Sequence, residues 1–130
     1  GAAIEGKPLK VHGDGAQTRC FCDVRDVAAA LPRLLATPAC AGRVFNVGSE
    51  RSISIRALAE LVLAVTGSSA PIEPLPYDQA FSSGFEDLRK REPDLTRIRS
   101  AIHFAPSIPL EQTIRDLAHH ITSAPRSPRA

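Results

Sequence analysis

The run Gly13-Asp14-Gly15-Ala16-Gln17-Thr18-Arg19-Cys20-Phe21-Cys22-Asp23-Val24-Arg25-Asp26-Val27 constrains this chain more than any other stretch. Gly13 and Gly15 bracket Asp14 in a turn that needs positive φ at little steric cost. Thr18 to Cys22 is long enough for a short extended strand and no more. Asp23 or Asp26 then opens a helix, placing acidic side chains at the positive end of its dipole.

The rest of the chain continues the alternation. Lys7 to His12 is extended, with Leu9 and Val11 on one face and Lys10 and His12 on the other. Apolar residues at 24, 27, 28, 31, 34 and 35 form a helical stripe, and Pro32 inside it predicts a kink or an early stop. Val44 to Val47 reads as a compact strand closed by Gly48-Ser49. Ser52 or Ser54 caps a helix through Val65, and Gly67 ends it in a left-handed cap. The prolines of 71–76 restrict that extended run to a sheet edge or a polyproline-like form. Tyr77 to Lys90 has no period and reads as a mobile surface loop around Ser82-Ser83-Gly84. Asp94 caps a helix from Leu95 to Ile102. Ser107 and Pro109 start a last one to Ile121, with Leu110, Ile114, Leu117 and Ile121 as its buried stripe. Gly1 to Gly6 reads as the frayed end of a helix or as a linker, and 123–130 as a disordered basic tail. Short strands alternating with about four helices give an α/β or α+β fold.

At 130 residues the chain is one domain, 1–122, plus that tail. Sixteen Lys and Arg stand against fourteen Asp and Glu, a net charge of +2, so bulk charge does not point to nucleic acid. No apolar run approaches the length of a membrane span. The three cysteines, 20, 22 and 40, match no common zinc spacing and read as reduced thiols in a cytoplasmic protein, with no metal. There is no methionine, which predicts a processed piece or a fragment of something longer.

Few side chains could carry chemistry. Arg19, just before a helix, suits phosphate at a pocket rim; from composition alone it reads rather as a surface arginine or as the partner of Asp14. Arg91 and Asp94, with Pro93 fixing the turn between them, could place a cation on phosphate and a carboxylate on hydroxyls. Against that, Asp94 reads as a helix cap and Arg91 as one charge in the solvated run Arg89-Lys90-Arg91. His12 could stack on a base or simply be exposed. Asn46 reads as satisfying backbone groups.

The opening run resembles a segment of the extended short-chain dehydrogenase/reductase family, the NAD-dependent nucleotide-sugar epimerases and dehydratases. Their run reads roughly G-D-G-x-Q-x-R-x-F-x-Y-V-x-D-V, matched here at Gly13, Asp14, Gly15, Gln17, Arg19, Phe21, Val24, Asp26 and Val27. Two further runs match in order, Val44-Phe45-Asn46-Val47-Gly48-Ser49 and Arg91-Glu92-Pro93-Asp94, so the resemblance extends from about Lys7 to about His119. The chain departs from the pattern at Cys20, commonly aspartate, and at Asp23, usually tyrosine or histidine.

The resemblance implies the C-terminal, substrate-binding part of a Rossmann-type enzyme, lacking the N-terminal dinucleotide-binding half. It implies a nucleotide-sugar substrate, a UDP- or dTDP-sugar, held by Arg19 on the diphosphate, Arg91 and Asp94 on phosphate and ribose, and Val11, His12 and Gln17 nearby. The parent enzyme would use NAD, at a site outside this chain. This sequence holds no G-x-x-G-x-x-G or G-x-G-x-x-G fingerprint, and no Tyr-x-x-x-Lys pair, since its one tyrosine is Tyr77 and residue 81 is Phe. The hydride-transfer machinery is therefore expected elsewhere. The missing half, or a second copy of the chain, is the expected protein partner. The rival readings are a stand-alone anion- or nucleic-acid-binding module built on residues 89–99 and the basic tail, and a protein-interaction domain.

Overall fold

Two small sheets organise the chain in a computed structural model that describes residues 1–76 and 88–123. The first pairs β1 (Leu9–His12) in parallel with β4 (Ile72–Leu75), Val11 opposite Pro74. The second has the order β3-β2-β5, with β2 (Thr18–Cys20) antiparallel to β3 (Ser52–Ser54) and parallel to β5 (Lys90–Arg91). Between and after them run helices α1 (Val24–Leu35), α2 (Ile55–Thr66), α3 (Thr96–Ile102) and α4 (Leu110–Ser123). The fold is mixed α/β, as the alternation predicts.

The turn between the sheets is set by glycine. Gly15 sits at φ +72°, and a Cβ there would lie 2.7 Å from Val11 Cγ1, so only glycine lets the chain pass. The carbonyls of Gly15 and Gln17 accept the Arg56 and Ile55 N–H groups, each at 3.0 Å, which docks the turn on the first turn of α2. Ser54 caps the same helix through Ala57 N–H at 3.1 Å, and Gly67 ends it at φ +64°.

The core lies between α1 and α3. Ala30, Cys40, Leu95, Ile98, Ile102 and Phe104 are buried together, with Phe45 and Val47 packed against them. Leu95 and Ile98 are fully enclosed, and burial of such side chains stabilises by about 1.5–3 kcal/mol each.

Several local expectations are corrected. Pro32 does not stop α1, which continues to Leu35. The stripe of α1 is split. Leu34 packs against the core with Ala30 and Val27 is half-buried, while Val24, Ala28, Leu31 and Leu35 are exposed. The small Ala30, rather than the larger side chains, marks the face that α3 approaches. Val44 to Val47 joins no sheet among the described residues, although Phe45 and Val47 face inward and Val44 and Asn46 outward. A strand needs a ladder, and no described segment supplies one. On α4 only Ile114 of the expected stripe is buried, and Leu117 and Ile121 are exposed. Gly1 to Gly6 is tied down rather than frayed: Ala3 is buried, and its carbonyl accepts the Ser68 hydroxyl at 2.7 Å. The loop expectation over 77–87 and the tail 124–130 lie outside the described residues, while Lys90 belongs to β5 and Ser123 to α4.

Candidate anion-binding site

Register builds this site. Arg19 of β2 is the Cα partner of Ile53 on one side and of Arg91 on the other. Partners in adjacent strands project from the same face, so Ile53, Arg19 and Arg91 form one row across the sheet. Two like charges in neighbouring positions of one row repel unless something negative lies against them. Arg19 Nη1 is anchored to the Thr18 and Leu88 carbonyls at 2.7 and 2.9 Å. Arg91 is exposed, and its guanidinium has no partner among the described residues. The Lys90–Glu92 bridge at 2.7 Å pairs the charges flanking it with each other.

Asp94 follows one turn of chain later, at the rim of an open cleft of about 480 Å³ lined by Glu50, Lys90, Glu92, Pro93 and Asp94. Its Oδ1 accepts the Thr96 N–H at 2.8 Å, so it does steady the start of α3. Hydrogen bonds from Thr96, helped by the charges of Arg97 and Arg99, lower its carboxyl below the ordinary value. It is an acceptor at neutral pH. Asn46 Nδ2 donates to the Asp94 carbonyl at 3.2 Å, the backbone role expected of it.

The remaining predicted residues sit on the other sheet and the turn leaving it. Val11 is buried. His12 is half-buried and engaged by a partner of its own. Gln17 is 7% exposed, its Nε2 donates to the His12 carbonyl at 3.0 Å, and its buried Oε1 has no partner among the described residues. The structure therefore brings Arg19, Arg91 and Asp94 to the second sheet and its exit, and leaves Val11 and His12 on β1 and Gln17 in the turn between β1 and β2. A separate cavity of about 230 Å³, walled mostly by Phe21, Ile53, Leu61, Pro106, Ile108 and Leu110, includes none of the six.

Two buried carboxylates were legible only as helix-start residues. Asp23 is the N-cap of α1 and also binds Arg25 Nε and Nη2, each at 2.8 Å, and the Thr113 hydroxyl at 2.7 Å. Arg25 reaches on to Asp116 at 2.7 Å, which ties α1 to α4. Hydrogen bonds from Arg25, then from Thr113, hold the Asp23 carboxyl far below the usual range. Burial pushes Asp26 upward, but the N–H groups of Ile108 and Ser107 and the Ser107 hydroxyl outweigh it and leave it lowered. Burial raises the thiols of Cys20 and Cys22, so neither is a ready thiolate, and no metal-binding cluster exists among the described residues.

The family model described as the NAD dependent epimerase/dehydratase family matches residues 1–48. A UDP-N-acetyl-alpha-D-glucosaminuronate decarboxylase of Bacillus cytotoxicus is 35% identical over 115 residues, which is 88% of this chain and 36% of that protein. Among solved structures, UDP-glucose 4-epimerase of Thermotoga maritima, crystallised with UDP-glucose, superposes with a TM-score of 0.79 at 23% identity, over 92% of this chain and 36% of the other. UDP-glucuronic acid 4-epimerase of Bacillus cereus, in complex with UDP-glucuronic acid and NAD, gives 0.78 at 23% identity, over 93% and 38%. The chain thus spans about a third of the length of the relatives it matches.

Proposed function

The chain belongs to the NAD-dependent epimerase/dehydratase family, and on that premise we propose that it binds and positions a nucleotide sugar, a UDP- or dTDP-sugar. The observation that carries the reading is the register pairing of Arg19 with Arg91, with Asp94 three residues on. A diphosphate laid across that row relieves the repulsion between the two guanidinium groups, and Arg91 can meet it with a bidentate fork. The Asp94 carboxylate then accepts from ribose hydroxyls. Val11, His12 and Gln17 serve the nucleoside end, Val11 through its backbone.

In this reading the chain contributes binding energy and orientation, and NAD, held by further polypeptide, would supply the hydride chemistry. The exposed Val24, Leu31 and Leu35 of α1, with Val44 and the unladdered 44–47 run, are covered by that further polypeptide or by a second copy of this chain. The free cysteines accord with a cytoplasmic, reducing environment. Among the described residues no helix is long and apolar enough to cross a membrane.

The nucleic-acid reading has less support. Of the cations between 89 and 99, Lys90 is paired with Glu92 and Arg99 with Glu50. Calorimetric titration separates the two. UDP or dTDP binding with a 1:1 stoichiometry, and no salt-dependent shift of labelled RNA, is the expected result. RNA binding without UDP or dTDP binding would replace this reading with the rival one.

A further inference from the structure

Three contacts from the segment 46–50 converge on Pro93, Asp94 and Leu95. Asn46 Nδ2 donates to the Asp94 carbonyl at 3.2 Å. Gly48 lies against Pro93, so closely that a Cβ there would sit 3.3 Å from Pro93 Cγ. Glu50 does the most. Its Oε1 accepts from the Leu95 N–H at 3.4 Å and from Arg99 Nη1 at 3.1 Å, and its Oε2 accepts from Arg99 Nη2 at 2.6 Å.

Leu95 is the residue preceding α3 and has no side-chain oxygen with which to cap it. Glu50 takes the Leu95 N–H, and Asp94 takes the Thr96 N–H. The fork on Arg99 fixes the direction of the Glu50 carboxylate, because two parallel N–H···O bonds admit one orientation. With Glu50 and Arg99 side chains 34% and 48% exposed, the pair contributes geometry more than stability. Glu50 leads into β3 at one edge of the sheet, and Pro93-Asp94 leaves β5 at the other, with Arg19 between them. The clasp therefore spans the row of side chains at its two margins.

We infer that Glu50 is a positioning residue for the anion site: through Arg99 and the Leu95 N–H it sets where Asp94, and Arg91 three residues before it, stand relative to the diphosphate. The inference rests on the nucleotide-sugar reading for its ligand, but the clasp itself does not. Asn46 and Gly48 also hold the same turn, so Glu50 tunes a turn that is already seated.

The test is a double-mutant cycle on UDP affinity in the 130-residue chain, with Glu50→Ala made in the wild-type and in the Arg91→Lys background. Misplacing a binding group by a fraction of an ångström predicts a roughly tenfold weaker affinity for Glu50→Ala. That loss should be smaller beside Arg91→Lys, because the part of it that acts through Arg91 is then already weakened. Glu50→Gln, which keeps one acceptor, should recover part of it. An unchanged affinity, or the same loss in both backgrounds, overturns the inference. Amide exchange keeps the clasp testable if the wild-type chain fails to bind UDP, a failure that would count against the nucleotide-sugar reading alone. Glu50→Ala should then speed exchange at Leu95 and Thr96 while leaving α2 as it was, and unchanged exchange there overturns the clasp.

Discussion

Arg19 and Arg91 are register partners in two parallel strands, 72 positions apart in sequence and on one face of one sheet. β5, which carries Arg91, is only two residues long, so the pairing does little for the sheet. Its consequence is electrostatic: it sets two permanent cations at neighbouring positions of one row, and the proposed diphosphate contact rests on that placement.

Arg91→Ala should therefore weaken UDP or dTDP binding by about tenfold to a hundredfold, the range expected for a charge-assisted contact. Arg91→Lys should keep part of the affinity, since an ammonium retains the charge but loses the fork. Stability should hardly change, because Arg91 is exposed and unpaired among the described residues. In a full-length relative carrying this segment, the matching substitution should act mainly on KM. Calorimetry on the chain and steady-state kinetics on the relative read the two effects, and an unchanged affinity would remove Arg91 from the site.

How much of this was legible varies with range in sequence. The turn at Gly13–Gly15 and the left-handed Gly67 follow from local chemistry and appear where the residues place them, and of the two candidates for each helix start the caps are Asp23, not Asp26, and Ser54, not Ser52. β3 and β5 do not, because three and two residues cannot show an alternation. The bond from Thr113 to Asp23 joins residues 90 positions apart, and the clasp from Glu50 to Arg99 joins residues 49 apart, so no periodicity announces either. The α1 stripe was readable as apolar but not as two faces with different fates. Which side is buried depends on what arrives from α3, and that is a tertiary fact.

The Asp23 network makes acid stability predictable in sign. Its carboxyl is depressed in the folded chain, so its contribution is fully present above the unfolded value of about 3.9 and is lost as pH falls below it. Arg25 stays charged throughout this range. Asp23→Asn should weaken the hold of α1 on α4 at neutral pH and flatten the stability change below about pH 4. Urea unfolding at pH 7 and at pH 3 measures both. Equal pH dependence in variant and wild type would show that Asp23 is not a principal acid-sensitive group.

His103 ends α3 in the left-handed region at φ 51°, where a β-carbon is crowded and glycine is the usual residue. Its N–H already closes the helix on the Arg99 carbonyl at 2.8 Å, a bond any residue would make. The side chain is exposed. His103→Gly should raise stability by about 0.5–1 kcal/mol, strain relief exceeding the added flexibility of the unfolded chain. A lower urea midpoint would mean that the imidazole contributes something the backbone geometry hides.

The outer face of α1 should govern association. Val24 is 75% exposed, Leu31 52% and Leu35 88%, and Val44 is 77% exposed on the unladdered run. These side chains lie at i, i+7 and i+11 on one helix, which makes a continuous strip and not scattered surface residues. Water contact with such a strip favours any arrangement that covers it. The chain alone should then self-associate at micromolar concentration, and Leu31→Glu with Leu35→Lys should leave it monomeric with its helix content intact. Both side chains point away from the Ala30 face, so no core contact is removed. Sedimentation velocity on the two proteins decides it. A wild-type chain that is monomeric with a sharp melting transition would show that the strip needs no cover, and with that the proposed partner for this face would lose its support.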